Sequence, residues 1–218
     1  MPTYQECVAQ PGWQSNWSYP WDCWTGGTEP NALQEQFTYG FVGGYVLQMD
    51  NDDSNLVQYI IFDGIDFDAK GITHTMHFYS GARHIRFQNG EIRLSIKSCI
   101  AQQTSDTAIR TDLQFVGMKI HSCGVPYDTN RINGVPARMH PSARFRHPWY
   151  MHAGGNSLID SETYNSAGTG LGPDGDDNVI VGNFIHDNAN QGLYMAGGNN
   201  WLVEGNIFYN NGGIEIYH

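Results

Sequence analysis

Two residues five positions apart, both apolar or one apolar and one threonine, form a pair that recurs down this chain and limits its fold more than any other feature. The pairs are Phe62/Phe67, Phe87/Ile92, Phe115/Ile120, Leu158/Thr163, Ile180/Ile185 and Val203/Phe208, and their first members lie 25, 28, 43, 22 and 23 residues apart. A period near 22, with short apolar runs parted by Gly, Asn and Asp, describes stacked coils that bury their apolar faces on one another. Alternation within the runs marks strands, whose side chains point to opposite faces with period two. Two or three short strands per coil leave no room for a helix of ordinary length. Each coil must therefore bend back on itself and stack about 4.8 Å further along an axis.

The last three coils are nearly in register. Leu158-Ile-Asp-Ser-Glu-Thr-Tyr-Asn-Ser166 lies over Ile180-Val-Gly-Asn-Phe-Ile-His-Asp-Asn188, which lies over Val203-Glu-Gly-Asn-Ile-Phe-Tyr-Asn-Asn211. Asn183 and Asn206 match, as do Asn188 and Asn211, and both pairs read as rungs of an asparagine ladder with stacked amides.

Residues 1–46 are irregular, with Trp13, Trp17, Trp21 and Trp24 set among prolines. They read as a cap whose rings cover the first coil, with an aromatic sugar-binding platform as the alternative. Residues 47–218 carry the coils. The jump to 43 residues places an insertion at 124–146 that holds Arg131, Arg138, Arg144 and Arg146, whereas 147–218 contain no Lys or Arg. Loops of this length are more often functional than accidental. Of the four cysteines, Cys7 and Cys23 flank the Trp-rich stretch and are candidates for a bridge. Cys99 and Cys123 read as small buried or loop residues.

With 11 basic and 22 acidic residues the net charge is −11, which argues against nucleic acid and anionic membranes as partners. No apolar run is long enough to span a membrane. The sequence stops directly after a strand, at Ile216-Tyr217-His218, and a solenoid end needs a cap. The expectation is a fragment truncated at its C-terminus.

The segments His84-Ile-Arg-Phe-Gln-Asn-Gly-Glu-Ile92, His147-Pro-Trp-Tyr-Met-His152, Asn183-Phe-Ile-His-Asp-Asn188 and Gly212-Gly-Ile-Glu-Ile216 resemble right-handed parallel β-helix repeat proteins of the pectin-lyase-like superfamily. The resemblance implies an all-β, single-stranded right-handed parallel β-helix and an extracellular or cell-surface protein whose partner is a polysaccharide. It also implies a substrate cleft along the first parallel sheet. No single reaction follows, since this architecture hosts lyases, hydrolases, epimerases and inert adhesins. The basic residue that pectate lyases project from a C-terminal coil is missing here, and so is the Asp-Asp strand pair of pectin hydrolases.

Alternation places His77, Tyr79, Tyr150, His152, Tyr194, Glu215 and Tyr217 on the outer face of that sheet. Aromatic rings there can stack on sugars or simply pack on one another. A β-eliminating lyase needs a base, an acid for the leaving oxygen and a cation beside the carboxylate. Tyr150 and His152 are the expected base and acid, and Arg146 the expected cation. His77, Tyr79, Arg144, Tyr194 and Glu215 are the expected substrate contacts. The turn Gly172-Pro-Asp-Gly-Asp-Asp-Asn178 gathers Asp174, Asp176 and Asp177, either as a calcium site or as a solvated acidic turn. The functional expectation is a lyase acting on an acidic polysaccharide, with a non-catalytic glycan-binding or adhesin-type scaffold as the alternative.

Overall fold

The computed structural model describes residues 45–49, 56–69, 74–95, 97–102, 104, 109–124, 131–132, 135–136, 147–166, 168–188 and 190–216, with only the backbone at 131–132, 135–136, 215 and 216. The N-terminal tryptophans, Cys7, Cys23, Arg144, Arg146 and Tyr217 lie outside the described residues.

The chain coils through three parallel sheets. The first contains Tyr45–Met49, His74–Phe78, Ile100–Gln102, Trp149–Met151, Leu171–Pro173, Leu193–Met195 and Ile214–Ile216, in chain order along the axis. The second runs from Val57–Asp63 to Leu202–Glu204 and the third from Phe67–Asp68 to Ile207–Tyr209, each with six strands in chain order. No described residue is helical.

The recurring pairs are the registered rungs of the second and third sheets. Phe62, Phe87, Phe115, Leu158, Ile180 and Val203 face one another in succession. So do Phe67, Ile92, Ile120, Thr163, Ile185 and Phe208. Within the first column Phe62, Phe87 and Phe115 stack ring on ring at 4.8 and 5.1 Å between centroids. From the first sheet Met76, Phe78, Ile100, Trp149 and Met151 complete the core, all fully buried. Burying each such side chain contributes roughly 1.5–3 kcal/mol, which is what holds coils of so few residues together.

Left-handed backbone positions line up along the axis at each of the three corners. Where the second sheet begins they are Tyr59, His84, Asp112, Gly155, Asp177 and Asn200. Where it gives way to the third they are Gly64, Asn89, Gly117, Asp160, Gly182 and Gly205, and the chain crosses this corner in the same number of residues in every coil. Past the third sheet they are Leu94, Ser122, Asn165, Asp187 and Asn210. Asn, Asp and Gly tolerate this conformation best, which explains their abundance.

The residue after a left-handed position points inward, and there the Asn ladders form. The amide oxygen of Asn206 accepts from Asn183 N and Nδ2 at 2.9 Å, and Asn183 Oδ1 accepts from Ser161 N at 2.9 Å. Asn211 and Asn188 repeat the arrangement, ending on Ser166. A third ladder, not expected from the sequence, joins Asn178 to Asn156, whose Oδ1 accepts from Leu113 N at 3.0 Å and Thr111 Oγ1 at 2.7 Å. These amides satisfy corner backbone groups that a buried turn would otherwise leave unpaired.

The cysteine expectation is corrected. Cys99 and Cys123 are bridged, with Cα atoms 5.3 Å apart, and both are fully buried. Their separation is 24 residues, against 28 between the registered Ile92 and Ile120, and it joins the two ends of the same corner in successive coils. The bridge sits where the insertion leaves the solenoid after Gly124 and rejoins it at His147, whose carbonyl accepts from Cys99 N at 3.0 Å. Inside the insertion, Arg131–Ile132 and Val135–Pro136 pair antiparallel.

Candidate active site on the first sheet

Along the outward column of the first sheet the residues are Gln48, His77, Ala101, Tyr150, Gly172, Tyr194 and Glu215. Rings thus alternate with small residues, and a ring gains room to lie along the axis. A Cβ at Gly172 would stand 3.2 Å from Tyr150 Cδ2 and 3.3 Å from His147 Nδ1, so both rings lean over this glycine. Tyr150 stacks on His147 at 4.7 Å and meets His152 edge-on at 4.5 Å.

His152 and Asp174 are the residues just past the paired positions Met151 and Pro173, and Nδ1 of His152 lies 2.9 Å from Asp174 Oδ2. The carboxylate fixes the proton of the neutral imidazole on Nδ1, which directs the lone pair of Nε2 outward. The other oxygen, Asp174 Oδ1, is buried with no hydrogen-bond partner. His147 is buried, and its Nδ1–H donates to the Thr169 carbonyl at 3.3 Å. Burial pulls its pKa down to about 4, against the raising effects of that hydrogen bond and of Asp174, so the ring is neutral at physiological pH. Burial, with Asp174 and Tyr194 nearby, pushes the Tyr150 phenol up to about 12.

The sequence-derived residues divide into groups. Tyr150, His152 and Tyr194 share one face, and His147, Gly172 and Asp174 join them. His77 belongs to the same outward column but is only 3 % exposed, because the rings of Tyr45, His74 and Tyr79 lie against it at 4.7–5.6 Å. The expectation that His77 presents its ring to a ligand is corrected by this cover. Tyr79 is half-buried beside it. Glu215 holds its register opposite Tyr194, with its side chain outside the described atoms.

Asp174, Asp176 and Asp177 do not converge. Asp174 engages His152, Asp176 Oδ1 accepts from Asn199 N at 2.7 Å, and Asp177 pairs with Arg110. One oxygen of each thus goes to a separate partner. Among the described residues no group of three or more His, Cys, Asp or Glu is arranged to hold a metal ion.

Sequence reasoning missed His147, Gly172 and the pairing role of Asp174. The signal for Asp174 was available: it is 22 residues after His152, one coil on. A second aromatic column, also unforeseen, runs along the third sheet, where His121, Tyr164 and His186 stack at 4.5 and 5.1 Å. Glu91 and Glu162 hold the two histidines through Nε2 at 2.9 and 3.1 Å. Here the rings cover one another, and the column reads as packing.

Residues 145–218 match the protein family described as right handed beta helix region. Comparison with curated proteins and with solved structures finds no match.

Proposed function

We propose that this chain, a right-handed parallel β-helix repeat protein of the pectin-lyase-like kind, is a lyase that cleaves an acidic polysaccharide on the outer face of its first sheet. The observation that carries the reading is the His152–Asp174 pair beside a protonated Tyr150. A histidine oriented by a carboxylate is a base, and a phenol held near 12 is a proton donor at neutral pH. The roles expected for Tyr150 and His152 are therefore exchanged: His152 is the base and Tyr150 the acid.

His152 Nε2 removes the proton α to the uronate carboxylate, at C5. The C–H electrons form the C4–C5 double bond, the C4–O bond breaks, and Tyr150 protonates the departing oxygen. The product is an unsaturated uronate and a new chain end. Charge developing on the carboxylate needs a cation, and residues 147–218 supply no Lys or Arg. Arg144 and Arg146, in the insertion that rejoins the solenoid at His147, take this role in the proposal. The buried Cys99–Cys123 bridge supports an oxidising, extracellular or cell-surface setting.

The absence of Lys and Arg from the last coils favours one second reading, a non-catalytic glycan-binding scaffold that uses Tyr79, Tyr150 and Tyr194. Incubation of the protein with uronate polymers separates the two. Growth of unsaturated product by ultraviolet absorbance is expected, and binding without any such product would overturn the lyase reading in favour of the scaffold.

A further inference from the structure

A cleft on the outer face of the second sheet is built from Tyr59, Ile61, His84, Arg86, Asp112 and Gln114. It lies at a corner where later coils place Gly155, Asp177 and Asn200 in the left-handed conformation. Two coils instead place Tyr59 and His84 there, at φ of 60° and 52°. Histidine is among the residues that tolerate this conformation, but a ring as bulky as that of Tyr59 is rare in it, and such outliers collect at ligand sites. Here the effect is to set a large ring on the surface. Tyr59 is 75 % exposed and its neighbour Ile61 66 % exposed, while one face of Tyr59 stacks on His84 at 5.1 Å with planes 4° apart. Among the described residues no ring stacks on the opposite face.

The polar side of the cleft is held in place by its own bonds. Gln114 Oε1 accepts from Arg86 Nε at 2.9 Å and Nη2 at 2.6 Å. Gln114 Nε2 donates to Asp112 Oδ1 at 2.8 Å, and Asp112 Oδ2 lies 3.0 Å from His84 Nδ1. Arg86 is thus anchored by a neutral amide, and among the described residues no carboxylate pairs with it. A fixed guanidinium that no described carboxylate pairs with directly, beside an exposed aromatic ring, matches a sugar that carries a carboxylate. The ring contributes C–H and dispersion contacts, the guanidinium binds the acid group, and Asp112 accepts from hydroxyls.

We infer that this cleft is a second saccharide subsite, taking a uronate unit away from the first sheet. The choice of a uronate chain as ligand rests on the lyase reading above, while the cleft and its charge do not. Such a site keeps a long polymer on the protein between cleavage events by raising its effective concentration.

The test is calorimetric titration of the His152→Ala protein, which would not consume ligand, with hexasaccharides of galacturonate and of mannuronate. Carboxyl-reduced, neutral hexasaccharides serve as controls. Arg86→Gln and Tyr59→Ala are each expected to weaken one binding event by about tenfold or more, with Arg86→Lys intermediate. Reducing the ligand carboxyls should weaken that event similarly and remove any further effect of Arg86→Gln. Both side chains are on the surface, and circular dichroism checks that each variant keeps its fold. Uronate binding that is absent, or unchanged by both substitutions, would overturn the site. Turnover of a uronate polymer without Arg86-dependent binding removes this site and keeps the lyase. Arg86-dependent binding in a protein that turns over no uronate polymer keeps this site and removes the lyase.

Discussion

His152 and Asp174 each follow the last paired residue of successive strands of the first sheet and meet across the coil boundary at 2.9 Å. The pair exists only because two coils are in register, so its geometry is set by the stacking itself. Asp174→Asn should leave the fold intact and lower kcat by roughly 10²–10⁴, the range expected when a general base loses its orientation and charge partner. KM should change by only a few-fold. Steady-state kinetics on a uronate polymer decide it, and a variant with unaltered kcat would remove His152 as the base.

Gly172→Ala tests the leaning rings. The added Cβ meets Tyr150 and His147 at 3.2–3.3 Å, closer than ordinary contact, so one ring must move. We expect a destabilisation of about 1–3 kcal/mol from overpacking. A loss of kcat larger than the loss seen with Ala101→Gly, at the facing small position, is also expected. Thermal melts and kinetics on both variants measure the two effects.

The buried His147 should make the protein acid-sensitive. Its folded pKa, about 4, is below the ordinary value of 6.5, so the unfolded chain takes up the proton first as pH falls. Stability is therefore full above about pH 6.5 and is lost as pH falls through about 4, by an amount on the order of 3 kcal/mol. Denaturant unfolding of the wild type and of His147→Asn across that range checks the sign. The variant should lose less.

An alkaline limb assigned to Tyr150 should be absent in the range where an ordinary phenol titrates. With its pKa raised to about 12, Tyr150 keeps its proton at pH 10, and kcat/KM should not halve there. A rate profile that falls with an apparent pKa near 10, and whose fall Tyr150→Phe abolishes, would contradict the raised pKa, whereas Tyr150→Phe with unaltered kcat would contradict the acid role.

The Asn ladders should matter to stability and not to turnover. Asn183→Ala leaves Ser161 N and the Leu158 carbonyl without their partner, and Asn156→Ala strands Leu113 N and the Ala153 carbonyl. Each should cost roughly 1–3 kcal/mol, and the less buried Asn206 should cost less. Equilibrium unfolding of the three variants tests the order.

The sequence showed the fold through residues that repeat. The five-apart pairs are the registered rungs of two sheets, and Asn183/Asn206 and Asn188/Asn211 are ladder steps because position along a coil is position along the axis. What escaped reading depended on cover or on side-chain direction. His77 keeps the right parity yet lies under three rings, since alternation reports the face of a sheet and not what lies upon it. Tyr150, His152 and Tyr194 do gather on that face, but burial of His147 and the tilt over Gly172 have no signature in spacing. The Cys99–Cys123 bridge joins one corner in successive coils, but its spacing of 24 falls short of the 28 that separates Ile92 from Ile120, so the period does not pair the two cysteines.

The corner between the second and third sheets is crossed in the same number of residues in all six coils, whereas the other two corners vary freely and one opens into the insertion at 124–146. Tolerance of added sequence is therefore directional. A peptide grafted after the third sheet lengthens a loop that already leaves the stack, and the rungs on either side keep their partners. The same peptide placed between Phe87 and Ile92 would turn the following strand off its column and expose the apolar face of a whole coil. New binding segments can be attached along two edges of this solenoid, and the third is closed to them.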